Sequence, residues 1–537
     1  MSDMEKSYDI NPYMSDLITY LRSHEEERSG EEASLAPATE MTNLSREIGA
    51  FYERLRFAVD NKEEHFFRRY AIRRIIRRMP RVGVDVDKLI HRLIADLDRG
   101  GYLREGELGS ARIGQVRTSL IAFLDLSEAL RTQSGVNEFR QTRAHLLDIM
   151  AGAIEDALYN TTREEGVVVM MARSAMASVS GEALESIPAE KRGMHFYIAS
   201  WRSLFSADSA LLRYKLWLFA HPHWDNQSKY PPEELAKTFR KEIFYINIAI
   251  DHPLGGHLLP RLHNLSIAHT LIYDAVTDFG AGLAGLLLDP QMFHSRMRGY
   301  ITARYERSIA RVKRRSIQTI FYIFVTKSLL VVAVESVYVV LLKHAINYLS
   351  IAINLVFHPA LLFLLTGGVR PPNSKNTDRA VGLAEDVVYN RALPQVEIPT
   401  EKKGIFVDIA LGFYIFFLMG SMWGIIAALH ALNFYVVDIV FFIFFLLLVL
   451  YFGYRIRFAA HRMRLTGSKE GFIRSLIDLC LLPLVSLGRY MTVRFERINV
   501  AVFFLDFIIE SPLRLILRFF DTFSSFVDKQ RDEIYTP

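Results

Sequence analysis

Apolar residues recur at helical spacing through the first 315 positions and then merge into runs too long for a soluble core. The runs are 317–342, 345–365, 405–432 and 434–454. A hydrocarbon core about 30 Å thick takes roughly 20 apolar residues in a helix, so each run predicts a span. Only Lys343 and His344 separate the first two runs, and only Asn433 the last two. The spans therefore pair as two tight hairpins. Upstream, the period predicts helices over 62–79, 87–99, 113–132, 137–159, 196–220, 232–250, 258–279 and 293–315, after a first helix ending near Val59. Pro231 and Pro232 before Glu233 and Glu234 mark a helix start, because Pro loses no hydrogen bond there and acids meet the positive dipole end. Gly100 and Gly101 mark a helix end. Only 167–171 reads as a short strand. The expectation is an all-α chain. A cytosolic helical domain over 41–315 precedes a polytopic α-helical membrane domain over 316–455, with four spans as two hairpins. A basic and then amphipathic, interfacial C-terminal region covers 456–537.

Charge orients this picture. The 537 residues carry a formal net charge of only +5. Arg296, Arg298, Arg304, Arg307, Arg311, Lys313, Arg314 and Arg315 precede the first span, against the single acid Glu306. Arg370, Lys375, Arg379, Arg391, Lys402 and Lys403 follow the second span, and Arg455, Arg457, Arg462 and Arg464 follow the fourth. The opposite turns hold only Lys343. Lys and Arg favour the cytoplasmic side, so both termini and the middle loop are expected there, in a multi-pass plasma-membrane protein. Residues 1–40, with Glu25, Glu26, Glu27, Glu31 and Glu32 among small polar residues, are expected to be disordered. They show no secretory signal pattern. Cys480 is the only cysteine, which excludes an intrachain disulfide and a cysteine-based zinc site.

In the tail, 473–487 is apolar but short and contains Pro483, and 498–509 is too short to span alone. Over 512–529, Arg514, Arg518, Asp521, Ser525 and Asp528 share one helical face, with Leu513, Ile516, Leu517, Phe520 and Phe523 on the other. That pattern suits a helix lying in the interface. Two arrangements stay open for 472–528: interfacial packing, or a further hairpin of spans.

The stretch 51–79, including YERLRFAVDNKEEHFFRRYAIRRIIRRM, and the stretch 200–224, SWRSLFSADSALLRYKLWLFAHPHW, resemble an uncharacterised family of helical multi-span membrane proteins from small-genome candidate-phylum bacteria. The resemblance covers about half of the chain. It implies a bacterial membrane protein with a cytosolic helical domain, and it implies no activity or functional residue.

The sharpest candidates for chemistry are polar residues inside the first hairpin. Lys327 and Glu335 interrupt the first span, while Asn347, Ser350, Asn354 and His358 recur on one face of the second. At about 1.5 Å per residue, Glu335 matches Asn354 in depth and Lys327 matches His358. Ionisable groups in lipid are costly unless paired and often mark ion paths. The plainer reading is that they join two helices. Gly420 and Gly424 form a small-residue face in the third span, suited to packing within one subunit or between subunits. On the basic helix 62–79, Arg69, Arg73 and Arg77 share one face. They suit anionic lipid or pairing with acids of their own domain. No aromatic RNA-binding signature accompanies them, so nucleic acid is not expected.

Several motifs fail their context. His221, His223, His252, His257, His263 and His269 lack the i, i+4 spacing of a helical metal site, which leaves only the 221–225 loop as a place for one. Gly280, Gly282 and Gly285 match G-x-G-x-x-G but follow a helical pattern instead of a strand. No Walker A, G-x-S-x-G or triad pattern occurs. No cofactor is expected, and enzymatic function is not favoured. The leading expectation is a membrane-anchored interaction or scaffold protein whose partners are the lipid bilayer and a protein bound through the cytosolic domain. The alternative is a channel or transporter using Lys327, Glu335 and His358. A membrane enzyme acting on lipid head groups is a third class without a recognisable motif.

Overall fold

The computed structural model describes residues 10–31, 64–77, 85–99, 102, 110–159, 161–185, 187–342, 348–367, 369, 371–398, 405–460, 462–465 and 481–491. Over 325–342 the description covers the helix alone. The chain divides into two compact units. One holds Met1–Met297, Val381–Thr400 and Phe504–Pro537, and the other Arg298–Ala380 and Glu401–Phe503. The described residues are all-α apart from one two-residue parallel pair, β1 (Val179–Ser180) with β2 (Val396–Glu397).

The first unit is built from α1 (Pro12–Glu31), α2 (Glu64–Arg77), α3 (Val86–Arg99), α4 (Ser110–Gln133), α5 (Val136–Tyr159), α6 (Thr162–Ser178), α7 (Ala189–Phe205), α8 (Ser209–Ala220), α9 (Pro232–Ile250), α10 (Leu254–Arg261) and α11 (His263–Phe279). Helix α5 is central to one group and packs against α2, α4 and α8. Helix α6 is central to another and packs against α1, α7 and α11. Leu146, Ile149, Met150 and Ile154 of α5 are fully buried. A Cβ added to Gly152 on α5 would lie 2.5 Å from Cγ of Tyr214 on α8. The missing side chain is what lets these two helices meet so closely. Gly152→Ala is therefore expected to lower stability by about 1–3 kcal/mol through overpacking. A denaturation midpoint unchanged by this substitution would contradict the contact.

Three expectations change here. Residues 12–31 are helical, not disordered: Met14, Leu17, Ile18 and Leu21 recur at helical spacing and are buried, with α1 packed on α6. The acidic second half of α1 hides this stripe in composition. The strand expected over 167–171 lies within α6, where Val167, Val168, Met170 and Met171 are buried on several sides of a core helix. A continuous apolar run alone does not separate a strand from a buried helix. The single helix expected over 196–220 is two. Ser206 turns left-handed at φ 52°, and the Asp208 carboxylate accepts from the Leu211 N–H at 2.9 Å to cap α8.

The second unit contains most of α12 (Pro290–Leu342, 53 residues), with α13 (Tyr348–Gly367), the start of α14 (Ser374–Val388), α15 (Ile405–Ala431), α16 (Val436–Ala460) and α17 (481–491). Among the described residues three helical segments, not four, are long and apolar enough to cross a membrane: Tyr348–Gly367, Leu411–Ala431 and Val436–Phe458. The other expected span, 317–342, forms the end of α12, and most of its side chains lie outside the described residues. Asn433, at φ 57°, makes the turn between α15 and α16. Helix α13 packs on α16, where a Cβ on Gly453 would lie 2.7 Å from Leu365. Helix α17 brings Leu484 and Val485 onto Leu447 and Leu450 of α16. A Cβ on Gly488 would meet the Leu447 carbonyl. Part of the ambiguous tail is thus helix packed on α16. The expected amphipathic helix 512–529 lies outside the described residues.

Candidate functional site

In the second unit the polar face of α13 turns toward α16. Ser350, Asn354, His358 and Thr366 are buried, and Ser350 donates to Asp438 of α16 at 3.4 Å. His358 Nε2 lies 3.0 Å from the Phe442 carbonyl of α16, and Nδ1 lies 3.3 Å from the Asn354 carbonyl. Its ring sits among Phe357, Phe442 and Phe445. Among the described residues His358 faces α16: its Nε2 is directed at the Phe442 carbonyl and its ring at Phe442 and Phe445. The reason is periodicity. Steps of four carry Ser350, Asn354 and His358 along one line, and the Gly453 gap draws that line against α16. The side chains of Lys327 and Glu335, and the whole of Asn347, lie outside the described residues. Asn354 Oδ1 is buried and has no hydrogen-bond partner among the described residues.

Gly420 and Gly424 of α15 have no described atom within 4 Å of an added Cβ. The close-packing glycines described in this unit are Gly453 and Gly488. Small size had singled out the first two, while Gly453 stands alone among large residues and has no sequence pattern to mark it.

In the first unit Arg69 and Arg73 of α2 point inward. Arg69 and Arg73 are four apart on one face, and Asp148 and Glu155 are two turns apart on α5. Arg69 donates to Glu155 at 2.9 Å and to Asp208 at 2.8 Å, and Arg73 lies 2.7 Å from Asp148. Arg213 of α8 completes the group at 2.5 Å from Asp148. The lipid-facing reading of Arg69 and Arg73 is thereby corrected, because their charges are spent on carboxylates of their own domain. Arg77 is exposed. Burial pushes the Asp148 and Glu155 carboxyls above their usual range, even though Arg73 and Arg213 pull on the first and Arg69 on the second. A cleft of about 310 Å³ is lined by Arg69, Arg73, Asp148, Asp208 and Arg213 among others.

A second group surrounds Lys215, which is fully enclosed. Its ammonium donates to Thr161 at 2.9 Å, and Glu165 lies at 3.1 Å and Asp156 at 3.7 Å. Tyr214 donates to Asp156 at 2.8 Å and Tyr197 to Glu165 at 2.6 Å. Burial opposes the charge on Lys215, but Asp156 and Glu165 outweigh it and hold its pKa above the usual value. Sequence reasoning passed over this group. The signal was present: Asp148, Glu155 and Asp156 interrupt an apolar helix, as Lys215 does in LLRYKLWLF.

The 221–225 loop is engaged in packing. His221 stacks on Trp217 at 4.2 Å and faces Glu242 at 3.3 Å. His223 borders an open hollow of about 460 Å³ with Asp225 and Gln227. Among the described residues no three His, Cys, Asp or Glu come together as a metal site. The arrangement in the first unit is one of mutual neutralisation. Charges satisfy one another across helices, which orders the helices. Comparison with protein-family models, curated proteins and solved structures found no match.

Proposed function

We propose that the chain is a multi-pass membrane protein whose first unit is a cytosolic interaction or scaffold module. The observation that carries the docking part is a set of exposed apolar side chains on that unit. Phe219 of α8 is 86% exposed, and Phe244 and Tyr245 of α9 are 61% and 58% exposed, with Ile248 beside them one turn on. Large exposed aromatics are unfavourable in water and mark surfaces that are covered in use. The ion networks, by contrast, turn inward and support the fold.

On this reading α12 supplies a fourth span over 317–342. Exposed Ile317, Phe321 and Phe324 begin an apolar surface on it directly after its arginines. On this reading the chain sits in the plasma membrane with both termini in the cytoplasm, an orientation that the distribution of Lys and Arg supports. The resemblance carried by 51–79 and 200–224 agrees with this reading and adds no activity. A transport role has less support, because His358 is wedged among aromatic rings.

The test uses the full chain with Cys480 replaced by Ser. It is expected to stay in the membrane pellet under alkaline extraction. A cysteine at Lys343 should react with an impermeant reagent in intact cells, and one at Arg391 only after permeabilisation. A photocrosslinker at Tyr245 should give a discrete protein adduct. Alkaline release, or labelling at 391 in intact cells, would refute the topology. Absence of a protein adduct would refute docking through α9.

A further inference from the structure

We infer that the basic end of the second unit is a binding site for the headgroup of an anionic phospholipid, an inference that rests on the membrane reading above. Two segments far apart in sequence meet there. Val312 of α12 and Ile456 of α16 pack together with Val369 in one apolar cluster. Their contact brings Arg311 and Lys313, on either side of Val312, to the level of Arg455 and Arg457, on either side of Ile456. Asn376 reinforces the junction: its amide donates to Tyr305 at 2.8 Å and to the Met463 carbonyl at 3.0 Å, and its oxygen accepts from the Leu465 N–H at 2.9 Å.

Along the sequence, the two segments that meet here carry charge of mostly one sign. Residues 304–315 hold six bases and 455–464 hold four, against the single acid Glu306. Arg311, Lys313, Arg314 and Arg455 are exposed. Arg307, Arg311, Arg314 and Phe321 follow at steps of four, three and seven, which puts them on one face of α12. Phosphate oxygens are the natural complement of such a group, since guanidinium forks match them.

The surface beyond the bases decides between a lipid and a free anion. On α12, Ile317 and Phe321 are 68% and 69% exposed. Phe321 stands about 10 Å along the axis from Arg314. On α16, Tyr454 and Phe458 are exposed beside Arg455. A basic band continued by apolar side chains on both helices fits a molecule with a phosphate at one end and acyl chains at the other. Basic surfaces between membrane helices on the cytoplasmic side recognise anionic headgroups in this way.

The full chain in a mild nonionic detergent is titrated with phosphatidylglycerol or phosphatidylcholine, and retained lipid is counted by native mass spectrometry. Phosphatidylglycerol is expected to be retained at about tenfold lower concentration. The variant Arg311→Gln/Arg314→Gln/Arg455→Gln should bring it to the level of phosphatidylcholine. The same three positions changed to Lys should keep most of the preference, which separates loss of charge from loss of fold. Removing three exposed charges of the first unit, Arg92→Gln/Arg140→Gln/Lys191→Gln, should change nothing. Equal retention of the two lipids would overturn the site, as would equal loss in the control variant. Displacement by inorganic phosphate at matched concentration, or by an RNA oligonucleotide, would overturn the assignment to lipid. A chain that resists alkaline extraction yet retains both lipids alike keeps the membrane reading and loses this one.

Discussion

Lys215→Met is expected to destabilise the first unit by about 3–5 kcal/mol, the range for breaking a buried ion pair from one side. Methionine fills the space of the lysine stem, so packing is largely kept. What is lost is the cation between Asp156 and Glu165, both of which remain held by tyrosine hydroxyls. Burial raises the Asp156 carboxyl, but Lys215, Thr161 and Tyr214 outweigh it and hold the group below its usual range. Without the ammonium, that balance reverses. The double variant Lys215→Met/Asp156→Asn should recover part of the loss, because one uncompensated charge goes with it. Tryptophan fluorescence can follow denaturation, since Trp201, Trp217 and Trp224 lie in this unit. A loss under about 1 kcal/mol would show that the network is dispensable.

Acidification from pH 7.5 to 5 should cost the first unit about 2 kcal/mol through His269 alone. His269 on α11 is fully buried, and its Nδ1–H donates to the Leu265 carbonyl at 2.9 Å. Burial pushes its pKa down to about 4, against about 6.5 in an unfolded chain. Between those values the unfolded chain takes up a proton that the folded one refuses. The stability present above pH 6.5 is therefore lost as pH falls toward 4. His145 and His195 are also lowered by burial and act in the same direction. Asp148 and Glu155, raised by burial, act in the opposite one. Comparing wild type with His269→Leu at each pH isolates the single group. The variant should show a shallower fall in stability. Equal slopes in the two proteins would show that His269 protonates freely in the folded state.

The charged groups show why the sequence was legible only in part. A span is a local property, so the runs at 345–365, 405–432 and 434–454 were visible from length and hydropathy, and each corresponds to a long apolar helix. Helix starts at Pro232 and ends near Arg99 were visible because capping chemistry is local too. The direction of Arg69 was not. Its face on α2 was readable, but lipid, solvent and a carboxylate 86 residues away look alike until α5 is placed against α2. The buried stripe of α1 was masked for a related reason, since its acidic end dominates a composition window.

The sequence by itself determined the helical class, the concentration of long apolar runs late in the chain and the asymmetry of Lys and Arg, because each depends on near neighbours or on simple sums along the chain. The tertiary structure decided which charges meet. It turned Arg69, Arg73 and Lys215 onto buried carboxylates and set His358 against α16. It also joined the bases around Val312 to those around Ile456. Electrostatic energy depends on distance in space and on burial, and neither is a function of separation along the chain.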